Sequence, residues 1–310
     1  MGAFTGGLVR IGTSITISGL SFLYGDDLAA VIETGRIADA AGVDQIVMTD
    51  HVAIGPRTDR YPYGPFPFPP EEPWLEPLST LAALAGTTSR IRLGTGILIV
   101  PLRPPLLLAK TLATLDVLSK GRLDVGVGSG WQPEEFAGSG APFRGRSAHM
   151  DDTLRACRAL WRDSPASFES ETVSFDSLWC EPRPLQPGGI PIWLGGAASE
   201  RNAARIAEYG VGWMPMEEGL SPKLRAGIAR LRRAFEAVGR DPATLQVRAG
   251  VPVRRSAEGR IDLDATLDQL PEMAREGVTM ASLALARFVR RRGEIERFLQ
   301  RVGEASRPKS

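Results

Sequence analysis

Short apolar runs, rich in β-branched residues, alternate with amphipathic stretches along the whole chain. Eight of these runs read as strands: Val9–Ile17, Asp44–Thr49, Ile91–Val100, Arg122–Gly128, Ile190–Leu194, Val211–Met214, Leu245–Val253 and Val278–Leu285. Several are continuous rather than alternating, as strands covered on both faces of a parallel sheet are. The stretches between them carry helical stripes with recognisable ends. Asp26 is placed to cap a helix through Leu28, Val31, Ile32 and Ala38, with Gly42 just past its end. Pro104-Pro105 opens a helix bearing Leu108, Leu112, Leu115 and Leu118, and Gly121 closes it. Leu224, Ile228, Leu231, Phe235 and Val238 form a third stripe.

Eight βα units in 310 residues predict a single α/β domain over residues 1–310, a (β/α)₈ barrel rather than an open doubly wound sheet. An open dinucleotide-binding sheet would place G-x-G-x-x-G at the first helix, and residues 18–30 lack it. Gly126, Gly128 and Gly130 supply only half of that motif before Trp131-Gln132-Pro133. Two insertions break the rhythm. Gly55–Pro77 holds eight prolines and five aromatic residues in 23 positions, and Asp163–Gly189 precedes the fifth strand. Connections this long in a compact domain are usually lids or binding loops. For the first, a rigid cover or a dimer contact is the competing reading.

Composition narrows the function classes. A net charge of +1 offers no basic surface for nucleic acid or anionic lipid. The basic run Arg290–Arg292 reads as a solvated helix face. No stretch approaches the ~18 consecutive apolar residues of a membrane span. The first twenty residues interrupt their apolar runs with Gly, Ser and Thr, so no secretory signal is expected. Two cysteines make neither a disulfide framework nor a CxxC site, and Cys157 falls on a helical apolar stripe. A reducing cytoplasm is the expected location.

In a barrel, chemistry belongs at the C-terminal ends of the strands. The second strand ends there in Thr49-Asp50-His51, the third contains Gly94-Thr95-Gly96-Ile97, the fourth runs into Gly128-Ser129-Gly130-Trp131, and the fifth ends in Gly195-Gly196. His51 is one of two histidines, and histidine is the residue type most often used for proton transfer. No second histidine or cysteine lies at metal-ligand spacing, so no metal site is expected. Glu134 and Glu135 begin a helix, where acidic residues are common for electrostatic reasons alone. Gly195-Gly196 before a helix reads as an anion site, or as a tight turn that glycine also favours.

The blocks around these residues resemble the luciferase-like oxidoreductases, most strongly their deazaflavin-dependent branch. They are Thr49–Val52, Arg90–Gly96, Ala109-Lys110, Leu112–Asp116, Gly121–Trp131, Glu135-Phe136, Gly140–Phe143 with Arg146, Pro191–Gly196 and Gly212–Pro215, in that order over roughly residues 8–285. The resemblance implies an insertion-bearing (β/α)₈ barrel, commonly a homodimer. It implies an F420-dependent oxidoreductase moving a hydride between the deazaflavin and a small organic substrate. An FMN-dependent monooxygenase using O₂ is the alternative, and a cofactor-free barrel binding a phosphorylated ligand is a third reading. It further implies that Asp50 and His51 meet the cofactor, with His51 as proton donor. A non-prolyl cis peptide is implied at Gly96–Ile97 behind the ring, with ring contacts from Ser129 and Gly130 and the phosphate at Gly195 and Gly196. Tyr61, Phe66, Trp74 and Trp131 are the expected substrate-side residues. Relatives that oxidise sugar phosphates carry a catalytic Glu where this chain has Trp131, which argues against that substrate class. Many relatives also have Asp where this chain has Val211.

Overall fold

The structure, a computed structural model, describes residues 10–216 and 218–306. Strands β1 (Gly12–Thr16), β2 (Gln45–Met48), β3 (Arg92–Thr95), β4 (Leu123–Gly128), β5 (Ile192–Gly195), β6 (Gly212–Met214), β7 (Gln246–Gly250) and β8 (Met280–Ala284) pair in parallel, each with the next. β8 returns to β1, with Gly12 opposite Met280 and Thr16 opposite Ala284, so the sheet closes. All eight expected strands are present; Val9, at the start of the first, lies outside the described residues.

One principal helix follows each strand: α1 (Val31–Ala41), α2 (Pro77–Thr87), α3 (Pro105–Leu118), α4 (Arg146–Arg162), α5 (Glu200–Tyr209), α6 (Pro222–Ala237), α7 (Leu270–Arg275) and α8 (Ile295–Ala305). The protein is a (β/α)₈ barrel. Its main apolar core lies between the strands and this helical ring, in residues such as Leu81, Leu93, Leu112, Leu231 and Leu299. The stripes on α3 and α6 are buried except at their last members, Leu118 and Val238, each 55 % exposed. A helix advances ~100° per residue, so Leu118 has drifted about 80° off the line of Leu108. Val238 lies past the end of α6. Gly42 caps α1 in the left-handed region as expected (φ 94°), but Asp26 does not start that helix. A short 3₁₀ turn over Leu28–Ala30 comes first.

The barrel interior is polar. Gln45 of β2 accepts from Ser14 of β1 (2.9 Å) and from the Arg248 guanidinium of β7 (2.7 Å), and donates to Asp124 of β4 (2.7 Å). Side chains from strands this far apart in the sheet can meet only inside the barrel.

The two insertions differ. Asp163–Gly189 contains an antiparallel hairpin, Ala166–Glu169 with Ser174–Leu178, anchored by buried Ala166. None of this insertion lines the cleft described below, so it is not a lid on it. Gly55–Pro77 does lie over the strand C-termini. Arg290–Arg292 is exposed, as expected, but enters a 3₁₀ turn rather than an α-helix. Cys157 and Cys180 are buried free thiols, and burial pushes Cys157 well above its usual range. Among the described residues no helix is long and apolar enough to cross a membrane.

Candidate active site

The strand C-termini surround a cleft of about 710 Å³. Every residue singled out from the sequence borders it: Asp50 and His51 after β2, Gly96 and Ile97 after β3, Ser129, Gly130 and Trp131 after β4, and Gly195 and Gly196 at the end of β5. Tyr61, Phe66 and Trp74 reach it from the proline-rich insertion. The peptide between Gly96 and Ile97 is cis.

His51 sits inside an aromatic box. Its ring meets Trp74, Phe66 and Trp131 edge to face, with centroids 5.1, 5.9 and 6.1 Å away. Tyr61 closes the box against Phe66 and Trp131 at 5.3 Å each. Burial pushes the Tyr61 phenol up, so it remains a neutral hydrogen-bonding group. Behind His51 lies Glu135, whose side chain is fully buried and whose Oε2 is 3.3 Å from His51 Nδ1. Its Oε1 accepts from the Val52 N–H at 2.6 Å. Glu135 therefore fixes the ring and leaves Nε2 as the nitrogen for a ligand in the cleft. The sequence marks Glu135 as a helix-start acid and as part of the family-like blocks, without a role in the site. Its pairing with a residue 84 positions away is a product of barrel closure.

Asp50 borders the cleft, and its carboxylate is already engaged within the protein. Both carboxylate oxygens are held by Arg103, at 2.6 and 3.0 Å, and Oδ2 also accepts the Ile99 N–H at 2.8 Å. Burial pushes this carboxyl up, and the Arg103 guanidinium opposes that shift. Arg103 also reaches Glu76, the N-cap of α2, at 2.9 Å. The Asp50 side chain thus ties the end of β2 to the segment after Ile97 instead of offering a free carboxylate to the cleft. Gln132 plays a similar part for the insertion: its amide accepts from the Gly55 N–H (2.9 Å) and donates to the Gly55 carbonyl (3.1 Å).

The glycines have separate reasons. A Cβ on Gly128 would lie 2.3 Å from Ile97 Cδ1, and one on Gly195 would lie 2.9 Å from Ile97 Cγ2. Both are bare so that Ile97 can stand as a ridge in the cleft floor, which Gly195 also borders. Gly196 has φ +95°, with only the Tyr63 hydroxyl near its missing side chain. Its N–H, however, donates to the Met214 carbonyl (3.2 Å), and its carbonyl accepts from the Trp213 indole (2.7 Å). The turn is pinned by β6 and leads into α5. The Asn202 amide is capped by Ser199 at 3.2 Å. Arg146 adds a cation on the cleft wall. Its guanidinium holds the Gly130 carbonyl (3.0 Å) and lies 3.8 Å over Phe143, and no carboxylate among the described residues pairs with it. Among those residues no cluster of three His, Cys, Asp or Glu side chains could hold a metal.

The model of the luciferase-like monooxygenase family matches residues 8–294. An uncharacterised protein of Mycobacterium tuberculosis is 35% identical over 205 residues, 66% of this chain and 67% of the relative. An F420-dependent glucose-6-phosphate dehydrogenase of Rhodococcus hoagii is 28% identical over 273 residues, 78% of this chain and 76% of the relative. Among solved structures, an F420-dependent secondary alcohol dehydrogenase in complex with an F420–acetone adduct superposes with a TM-score of 0.74 at 15% identity, covering 96% of this chain and 99% of the other. A monooxygenase from Streptomyces bottropensis gives 0.72 at 21% identity, covering 96% and 98%. At such identities the two structures establish the common barrel.

Proposed function

The chain belongs to the luciferase-like monooxygenase family, and from that premise we propose that it is an F420-dependent oxidoreductase moving a hydride between the deazaflavin and a small apolar substrate. The observation that carries this reading is His51, braced at Nδ1 by a fully buried Glu135 and boxed by aromatic rings on the cleft wall. Reduction of a carbonyl or activated alkene by hydride needs a proton delivered beside it, and a fixed imidazole supplies one near neutral pH.

The cleft fits the cofactor. Ile97 stands clear between two bare glycines as a backing for a flat ring, and the Gly195-Gly196 turn, with the Arg146 guanidinium, suits a phosphate. When bound, the deazaflavin supplies the carbon that gives or takes the hydride. The protein orients it, excludes water with the insertion and holds the proton on His51. Trp131, packed on His51, Tyr61 and Phe66, makes the substrate side apolar and disfavours a sugar phosphate.

Reduced F420 should be reoxidised, without O₂, by members of a panel of apolar ketones and activated alkenes. Turnover that instead requires FMN and O₂ would favour the monooxygenase alternative.

Gly196→Val should weaken cofactor binding at least tenfold, ~1.4 kcal/mol, with the barrel intact by circular dichroism. It places a branched side chain at φ +95° on the cleft side of the turn. Unchanged affinity would remove the turn from the phosphate site.

Shortening the insertion between Arg60 and Trp74 should raise KM by about tenfold, equivalent to ~1.4 kcal/mol of lost contact, and change cofactor affinity much less. A loss confined to dimerisation would make the insertion an interface element.

A further inference from the structure

Arg248 is a buried cation on the cleft floor, and among the described residues no carboxylate hydrogen-bonds or ion-pairs with it. The residue is 5 % exposed and rises from β7 into the barrel interior. Its guanidinium donates to Gln45 Oε1 (2.7 Å), to the Thr95 carbonyl (2.9 Å) and to the Met214 sulfur, all uncharged. The carboxylate in that network, Asp124, is engaged by Arg92 at 2.6 and 2.7 Å and by Gln45. Burial pushes Arg248 down to about 10, which leaves it charged at neutral pH. A buried charge without a partner is costly, and barrels usually fill this space with aliphatic layers. An anion in the cleft would offset that cost.

The position identifies which anion. The bond to Thr95 sets the guanidinium directly under the Gly96–Ile97 segment, with Nη2 3.2 Å from where a Gly96 Cβ would lie. Resting on the F420 reading above, we propose that Arg248 carries the counter-charge for the reduced cofactor and so selects the reduced form. Addition of a hydride to the ring carbon delivers an electron pair that concentrates on the pyrimidine N1–C2 oxygen edge. A cation held at the cleft floor by Thr95 and Gln45 would favour the product of this addition over the oxidised ring. Arg248 is a positioning and tuning residue; the hydride and the proton move elsewhere.

The test is an anaerobic titration of wild type, Arg248→Met, Arg248→Gln and Arg248→Lys with oxidised and with reduced F420. Wild type should bind the reduced form at least tenfold more tightly, which raises the bound two-electron midpoint potential by about 30 mV. Met and Gln should lose that preference, and Lys should keep most of it. If neither neutral variant folds, the wild-type preference decides by itself. A wild type without the preference, or a folded neutral variant that retains it, overturns the inference and leaves the F420 reading standing. A wild type that binds neither form overturns both.

Discussion

His51→Ala is expected to lower kcat by about 10²–10⁴-fold, the usual contribution of a positioned general acid, with cofactor affinity changed much less. The geometry makes the expectation specific. Glu135 occupies Nδ1, the aromatic box restricts the ring, and Nε2 remains for the substrate. His51→Asn keeps a hydrogen-bonding group but cannot titrate, so it should be nearly as slow as Ala, and the near-neutral limb of the pH–rate profile should vanish. Activity largely rescued by Asn, with that limb still present, would reduce His51 to a group that only holds the cofactor ring. Glu135→Gln should give a smaller loss, because the ring keeps a neighbour at Nδ1 while the carboxylate that orients it is gone.

Asp50→Ala is the second large effect, and it should appear first as lost stability. The Asp50 side chain is fully buried, and its removal leaves Arg103, itself 14% exposed, with the half-exposed Glu76 and the Ile99 carbonyl as its partners. It also strands the Ile99 N–H. Breaking a buried pair from one side costs ~3–5 kcal/mol; Glu76 should hold the loss near ~3 kcal/mol, seen as a fall in Tm of about 5–10 °C. Cofactor affinity should fall with it, since the segment after Ile97 loses its anchor. Weakened cofactor binding at an unchanged Tm would instead mean that the carboxylate touches the cofactor, the role the sequence suggests for it.

That contrast marks where sequence reading succeeds and where it stops. The strands were legible because both their faces are buried, which favours unbroken apolar runs such as Ile46–Met48. The site's location followed, because a closed parallel barrel puts all strand C-termini on one face, and His51, Ile97 and Gly196 lie there. What each side chain faces was not legible. Asp50 finds Arg103, His51 finds Glu135, and Gly195 makes room for Ile97, across separations that local patterning does not encode. Length did not distinguish the insertions: both looked like lids, yet one became a hairpin away from the cleft because its residues pair with each other. Arg248 was hidden inside an apolar run, where a lone basic residue gives no sign that it points into the barrel.

Cofactor choice is the most direct test. Trp74 and Trp131 line the cleft, so their fluorescence should report occupancy. The purified protein should be titrated with F420 and, separately, with FMN under the same conditions. F420 is expected to quench that fluorescence at concentrations at least tenfold lower than FMN, a difference of ~1.4 kcal/mol. FMN binding as tightly as F420 or more so, or no binding of either, would contradict the deazaflavin assignment.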